Sequence, residues 1–385
     1  MPPWGGCSSR VDATPQPSGA VLRLPATTVS NASSDSNESG RMAFPHSPSM
    51  QSHRSAFLAA NPGARLISLG KTVSPPPAAS PTAARRLLVI FNPTAGNRSR
   101  RKLSAWLAAA SAFGATAEVI ATTRHGHAME LARSADPAEF DAVVAAGGDG
   151  TINDVVNGLA QSSLPLAILP LGTANVLAAE LALPRQIAAL AQIAAFAPAT
   201  MIWPGELVAP DVGTTRRFLL MAGVGFDAAV VERLDLAVKR RTGRVAYAAS
   251  ILGRLRDYVH TPYRAIIDGV AVEPASLIVS RARFYGGRYV LAPAACLGEK
   301  RLHVVLFERG GKRAAVTYMA SLFCGTLARR RDVRILSAAS LELSGPAGAP
   351  VQVDGDICAR LPIALRVAET PLRVIVGEPP PQRGQ

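Results

Sequence analysis

Runs of consecutive apolar residues, each closing on a small or polar cluster, set the rhythm of residues 85–200. Leu87-Leu88-Val89-Ile90-Phe91, Phe140-Asp141-Ala142-Val143-Val144-Ala145-Ala146 and Leu166-Ala167-Ile168-Leu169-Pro170 have the unbroken character of strands buried on both faces. Ala117 to Thr122 reads as a further strand. Helical patterns lie between them: Arg100 to Phe113, His127 to Ser134, Asn153 to Gln161, Ala174 to Leu183 and Arg185 to Phe196. Strands alternating with helices predict a doubly wound parallel sheet, the architecture of an α/β nucleotide-binding domain.

After residue 200 the texture changes. Short strand-like runs recur at Glu206 to Ala209, Arg217 to Ala222, Tyr263 to Ile267, Val270 to Glu273, Ala275 to Ser280, Leu302 to Phe307 and Val333 to Leu336. Leu341 to Leu343, Val351 to Val353 and Leu372 to Val376 continue them. This pattern predicts an antiparallel β-sandwich over 201–377, with 378–385 as a tail. Residues 1–84 are rich in Ser, Pro, Ala, Asn and Thr. A segment of that composition buries too little apolar surface to offset chain entropy, so it is expected to be a disordered extension.

Of the 385 residues, 48% are hydrophobic, enough for two cores. A net charge of +14 favours polyanionic partners: nucleotides or anionic membranes. Nucleic acid is not expected, because aromatic residues make up only 5% and no nucleic-acid-binding signature occurs. Cys7, Cys296, Cys324 and Cys358 are too scattered for a zinc site or a disulfide framework, which fits a reduced cytoplasmic setting. Ala314 to Ala328 is apolar but too short to cross a membrane, and is expected to be a buried core helix. Lys239 to Arg256 mixes basic and apolar residues at helical spacing. It could pack on the core or lie on an anionic surface.

Candidate chemistry gathers at the strand ends. Gly147-Gly148-Asp149-Gly150-Thr151-Ile152-Asn153 follows one buried strand and opens a helix. Its glycines let backbone amides approach a phosphate at a helix N-terminus. Asp149 beside such an anion makes sense with a divalent cation between them. Asn92-Pro93-Thr94-Ala95-Gly96 and Leu171-Gly172-Thr173-Ala174-Asn175 end two more strands. Ligands bind outside the carboxyl ends of the strands in open α/β sheets, so all three segments fit one site. There is no Walker A lysine motif, so backbone and hydroxyl groups would do most of the holding.

In this order the three segments resemble the diacylglycerol kinase catalytic domain family, from about Arg86 to about Val376. The resemblance implies an ATP- and Mg²⁺-dependent lipid kinase. Its active site would lie in the cleft between an α/β domain and a β-sandwich, with the last strand returning to the first domain. It also implies that Asn92, Pro93, Thr94, Ala95, Gly96, Thr122, the 147–153 turn, Gly172 and Thr173 hold ATP. In Asp354-Gly355-Asp356, Asp356 takes the position of the family's catalytic glutamate, the general base, with Asp354 beside it. As residues, the triplet also reads as an ordinary hairpin turn. Asp227 would join a water and magnesium network with Asp149. By its position it reads equally as a helix-start carboxylate. Glu299 falls where some bacterial members hold a structural magnesium, although Lys300 beside it would oppose the ion. Expected partners are ATP, a lipid acceptor and the anionic inner face of a membrane, with monomer or homodimer left open. The competing readings are an NAD kinase-like enzyme and a non-catalytic nucleotide-binding adaptor.

Overall fold

The computed structural model describes residues 22–23, 84–96, 98–209, 213–232 and 262–377. The expectations for the basic helix at Lys239 to Arg256 and for the tail lie outside the described residues, as does most of the N-terminal extension, of which Leu22–Arg23 is a strand and not disordered as expected.

The first sheet has seven strands. Its centre runs Thr116–Ala121, Arg86–Phe91, Ala142–Gly147 and Leu166–Pro170, all parallel. The Ala142–Gly147 strand is buried along its whole length, as its unbroken apolar run requires. Leu372–Ile375 pairs parallel to Leu166–Pro170, and Ala199–Ile202 pairs antiparallel beyond it. The final strand therefore lies in the first sheet, after the whole sandwich has intervened in the chain since Leu166–Pro170. Leu22–Arg23 adds a short antiparallel edge next to Thr116–Ala121. Ser99–Ala112 and Ile187–Phe196 cover one face, where Leu103, Trp106, Leu190 and Ala194 meet Leu87, Val89 and Val144. His127–Arg133, Asp149–Gly158 and Val176–Glu180 cover the other.

Two six-stranded antiparallel sheets follow. One carries Gly205–Ala209, Thr214–Phe218, Arg264–Ile267, Val270–Val272, Ser340–Ser344 and Ile363–Val367. The other carries Met221–Val224, Ser276–Ser280, Leu302–Phe307, Val333–Ala338, Pro350–Val353 and Asp356–Arg360. Leu207, Phe218, Leu341 and Leu365 of the first meet Val224, Leu277, Val304 and Val351 of the second in one core, so the fold is a sandwich. The outer face of the second sheet, through Met221, Ile278 and Val305, shares a core with Ile152, Val156 and Leu177 of the α/β half.

Three elements depart from the sequence reading. Arg217 to Ala222 is not one strand: Thr214–Phe218 belongs to one sheet and Met221–Val224 to the other, with the chain switching sheets at Leu219 and Leu220. The expected Ala174 to Leu183 helix is cut to Val176–Glu180. Ala182 takes a left-handed conformation, which an α-helix does not continue through. The expected core helix at Ala314 to Ala328 is Lys312–Phe323, and it is buried on one face only. Ala315, Tyr318 and Leu322 turn inward, while Val316 and Phe323 are each 49% exposed.

The chain crosses between the halves twice, at Trp203-Pro204 and at Ala368 to Thr370. The Ala368 N–H donates to the Pro204 carbonyl at 2.9 Å, and Arg217 Nη2 donates to Thr370 Oγ1 at 2.5 Å. The two crossings are thereby tied side by side.

Candidate active site

The three expected segments meet. Asn92 Nδ2 donates to Thr151 Oγ1 at 2.9 Å, and Asn92 Oδ1 accepts from the Thr94 N–H at 3.0 Å. The Thr122 N–H donates to the Phe91 carbonyl at 2.7 Å, which places it beside the same rim. Gly96 has φ +78, and a Cβ there would lie 2.6 Å from the Leu171 carbonyl oxygen. A Cβ on Gly172 would lie 2.7 Å from the Gly148 Cα. The three strand ends thus touch backbone to backbone, a packing that only glycine permits at these positions.

Asp149 opens the Asp149–Gly158 helix. Its carboxylate accepts from the Val176 and Leu177 N–H groups, both at 3.1 Å, and so caps the next helix as well. The far end of that short helix is held by Glu180, whose carboxylate takes Arg283 Nε at 2.9 Å and the Arg283 N–H at 2.9 Å. Thr151, Ile152 and Asn153 are buried. Ile152 enters the hydrophobic core. Asn153 reaches into the sandwich: its Nδ2 donates to the Arg217 carbonyl and to Asp354 Oδ2, and its Oδ1 accepts from Arg216. From Ile152 and Asn153 only backbone, and no side chain, is left for the expected hold on ATP, while Thr151 Oγ1 accepts from Asn92 and keeps its own O–H to donate. Thr173 is exposed and Gly172 half-buried at the rim.

Asp354-Gly355 forms the two-residue loop of a hairpin between Pro350–Val353 and Asp356–Arg360. Both loop residues have positive φ, 48 and 91, as an Asp-Gly type I′ turn requires. The turn does not present both acids to the cleft. Asp354 is folded back, and its carboxylate accepts from the N–H groups of Leu219 at 3.0 Å, Leu220 at 2.9 Å and Met221 at 2.8 Å. These are the amides left without ladder partners where the chain switches sheets. Burial pushes this carboxyl up to about 6, against those donors and Asn153, which pull it down. Asp354 is a brace, its carboxylate spent on three backbone amides and on Asn153. Asp356 is the acid that faces across: its Oδ2 lies 3.8 Å from where a Cβ on Gly150 would stand. The glycine turn of the α/β half and the acid of the sandwich are therefore neighbours.

Asp227, in the first turn of Phe226–Glu232, has other partners than a metal network with Asp149. Tyr285 Oη donates to its Oδ1, and Gln352 Nε2 donates to its Oδ2 at 2.7 Å. Its carboxyl is raised, first by desolvation. Gln352 Oε1 accepts the Gly355 N–H at 2.9 Å. Tyr285, Asp227, Gln352 and Gly355 thus form one relay ending at the turn that carries Asp356. Tyr285 and Gln352 were not singled out for this role by the sequence, since nothing in their spacing marks them as partners of Asp227. Gln352→Ala is expected to lower stability by about 1–3 kcal/mol in urea unfolding, because it leaves one oxygen of a buried acid and the Gly355 amide without their partner.

Asp227 and Tyr285 also line a small pocket of about 60 Å³ that is open on one side to solvent. Val224, Ile278, Leu291, Met319 and Leu322 make the rest of its wall largely apolar.

Glu299 is exposed, and the loop around it is organised by an arginine. Arg281 is fully buried and donates to the carbonyls of Trp203 (2.8 Å), Cys296 (3.3 Å), Leu297 (3.2 Å) and Glu299 (2.5 Å). A guanidinium among these carbonyls repels a divalent ion, so Glu299 does not fit as a metal ligand. Removing divalent ions with EDTA is accordingly expected to leave the thermal midpoint unchanged in a calorimetric scan.

The diacylglycerol kinase catalytic domain profile matches residues 86–201. The profile of the YegS C-terminal NAD kinase beta sandwich-like domain matches residues 221–376. The chain belongs to the diacylglycerol kinase catalytic domain family. A diacylglycerol kinase of Mycobacterium tuberculosis is 27% identical over 262 residues, covering 67% of this chain and 84% of the relative. One from Bacillus subtilis is 29% identical over 232 residues, covering 58% and 74%. A crystal structure of a diacylglycerol kinase from Bacillus anthracis aligns with a TM-score of 0.59 at 22% identity, over 76% of this chain and 98% of that one. At that identity the likeness speaks for the fold. In this chain the glycine turn and Asp356 lie side by side.

Proposed function

We propose that this chain is an ATP-dependent kinase that phosphorylates a hydroxyl of diacylglycerol or a closely related lipid. One observation carries the reading: Asp356 lies against Gly150 of the glycine turn, and the Gln352 relay links its own turn to an apolar pocket. The amides at the start of the Asp149–Gly158 helix would hold the triphosphate. The acyl chains would occupy the pocket lined by Ile278, Leu291, Met319 and Leu322. The lipid O–H proton passes to an Asp356 carboxylate oxygen as the lipid oxygen bonds to the γ-phosphorus. The bond from that phosphorus to the ADP oxygen breaks in line. Proximity and orientation supply much of the rate, because both reactants are held at one place.

Mg²⁺ fits this donor set in one way. The rim offers a single acid, Asp149, which suits an ion shared with nucleotide phosphates and water and does not suit a cage of protein ligands. Bound there, the ion would neutralise phosphate charge. Among the described residues no helix is long and apolar enough to cross a membrane. The kinase would therefore reach its lipid from the surface of the bilayer, on the side that holds ATP.

The test is incubation of the purified protein with γ-labelled ATP, Mg²⁺ and dioleoylglycerol, followed by lipid extraction. Labelled phosphatidic acid is the expected product. Label found in NADP when NAD is supplied, with none in any lipid extract, would overturn the lipid kinase reading in favour of an NAD kinase.

A further inference from the structure

The Lys312–Phe323 helix has two apolar faces with different surroundings. Ala315, Tyr318, Met319 and Leu322 form a wall of the apolar pocket. Val316 and Phe323, seven positions apart and so on one side of the helix, face outward at 49% exposure each. Phe323 stacks edge-on against Tyr289, with ring centroids 4.7 Å apart, and Tyr289 and Val290 are exposed at 36% and 37%. These four residues form one apolar patch built from this helix and the short antiparallel hairpin of Phe284–Tyr285 and Tyr289–Val290, next to the pocket-lining Leu291 and Leu322.

Basic residues predominate around the patch. Residues 309–331 hold six basic residues, Arg309, Lys312, Arg313, Arg329, Arg330 and Arg331, and no acidic one. Arg288 adds another beside Tyr289, and the Arg309 side chain at the pocket mouth is 75% exposed. The neighbouring acids are occupied: Asp332 by Arg330 and Arg309, Glu308 by Arg334. Exposed aromatic and aliphatic tips inside a ring of cations match an anionic bilayer, whose interface takes the rings and whose headgroups take the charge. A protein partner would gain from the apolar patch but would need its own acidic ring.

We propose that Val316, Phe323, Tyr289 and Val290, rimmed by these arginines and Lys312, are the surface by which the protein docks on an anionic lipid bilayer. Docked this way, the pocket opens at the headgroup level, so a lipid passes from the bilayer into the pocket without crossing water. The substrate's identity rests on the lipid kinase reading. Docking itself is measured without nucleotide and stands or falls separately.

The experiment is flotation of the full chain with vesicles of phosphatidylcholine containing about one third phosphatidylglycerol, without ATP. Tyr289→Ser with Phe323→Ser is expected to lower the bound fraction about tenfold or more, as is Lys312→Glu with Arg313→Glu. Raised salt should weaken the wild-type protein's binding. Arg100→Glu with Arg101→Glu, the same charge change on a helix over the first sheet, should bind as the wild type does. All these residues are exposed, and circular dichroism would report any loss of fold. The proposal is overturned if both patch variants float as well as the wild type, or if the Arg100 and Arg101 variant loses binding equally. Light scattering showing that the patch variants turn a dimer into a monomer, with vesicle binding intact, would also overturn it and assign the face to a second copy.

Discussion

Asp356→Asn is expected to cut formation of phosphorylated lipid by about 10²–10⁴-fold, while thermal midpoint and nucleotide binding stay close to those of the wild type. The amide keeps the shape of the carboxylate but cannot take the hydroxyl proton. Structure should be spared because the first residue of the turn, not this one, carries the bracing hydrogen bonds. Single-turnover kinetics with labelled ATP would separate a lost chemical step from lost binding. Asp356→Glu restores the family's residue with one extra methylene, and is expected to retain activity. An Asp356→Asn protein with full turnover would remove the base from the mechanism while leaving the fold untouched.

Asp354→Ala should have the largest effect on stability. It strands the amides of Leu219, Leu220 and Met221 and the side-chain amide of Asn153, all at once and mostly out of reach of water. It also places alanine at φ 48, where an L side chain is strained. The expected loss is about 3–5 kcal/mol in urea unfolding. The same residue gives a pH signature. Its folded carboxyl titrates near about 6, above the ordinary carboxylate value of about 4. Between those values the folded state holds a proton that the unfolded state has released. Stability from this group therefore falls as pH rises from about 4 to about 6, by an amount on the order of 2–3 kcal/mol, and levels off above. Unfolding free energies across that window would show the slope in the wild type, and Asp354→Asn should remove it.

Residues whose structure is set locally were legible in the sequence. The Ala142–Gly147 strand and the glycine turn after it announce themselves, because an unbroken apolar run and a need for bare backbone both leave marks in composition. The sandwich was legible as a class, but not strand by strand. Asp356–Arg360 and Ile363–Val367 were missed because polar residues interrupt them, and pairing across the sheet decides their state. The Asp354-Gly355 hairpin was foreseen, yet not which acid turns inward. That depends on three amides more than 130 residues away in sequence. The same holds for Asn153, which sits inside the phosphate motif but spends its side chain on Arg217, Arg216 and Asp354. A motif gives the backbone's task, and long-range partners assign the side chains.

The paired crossings at Pro204 and Ala368 bear on motion. One covalent link between two bodies lets them swivel, twist and bend. Two links stitched together by the Ala368 amide resist twisting, and the core that Ile152 and Val156 share with Ile278 and Val305 resists parting. Asp356 is thereby kept at one spot beside Gly150, without any search over orientations.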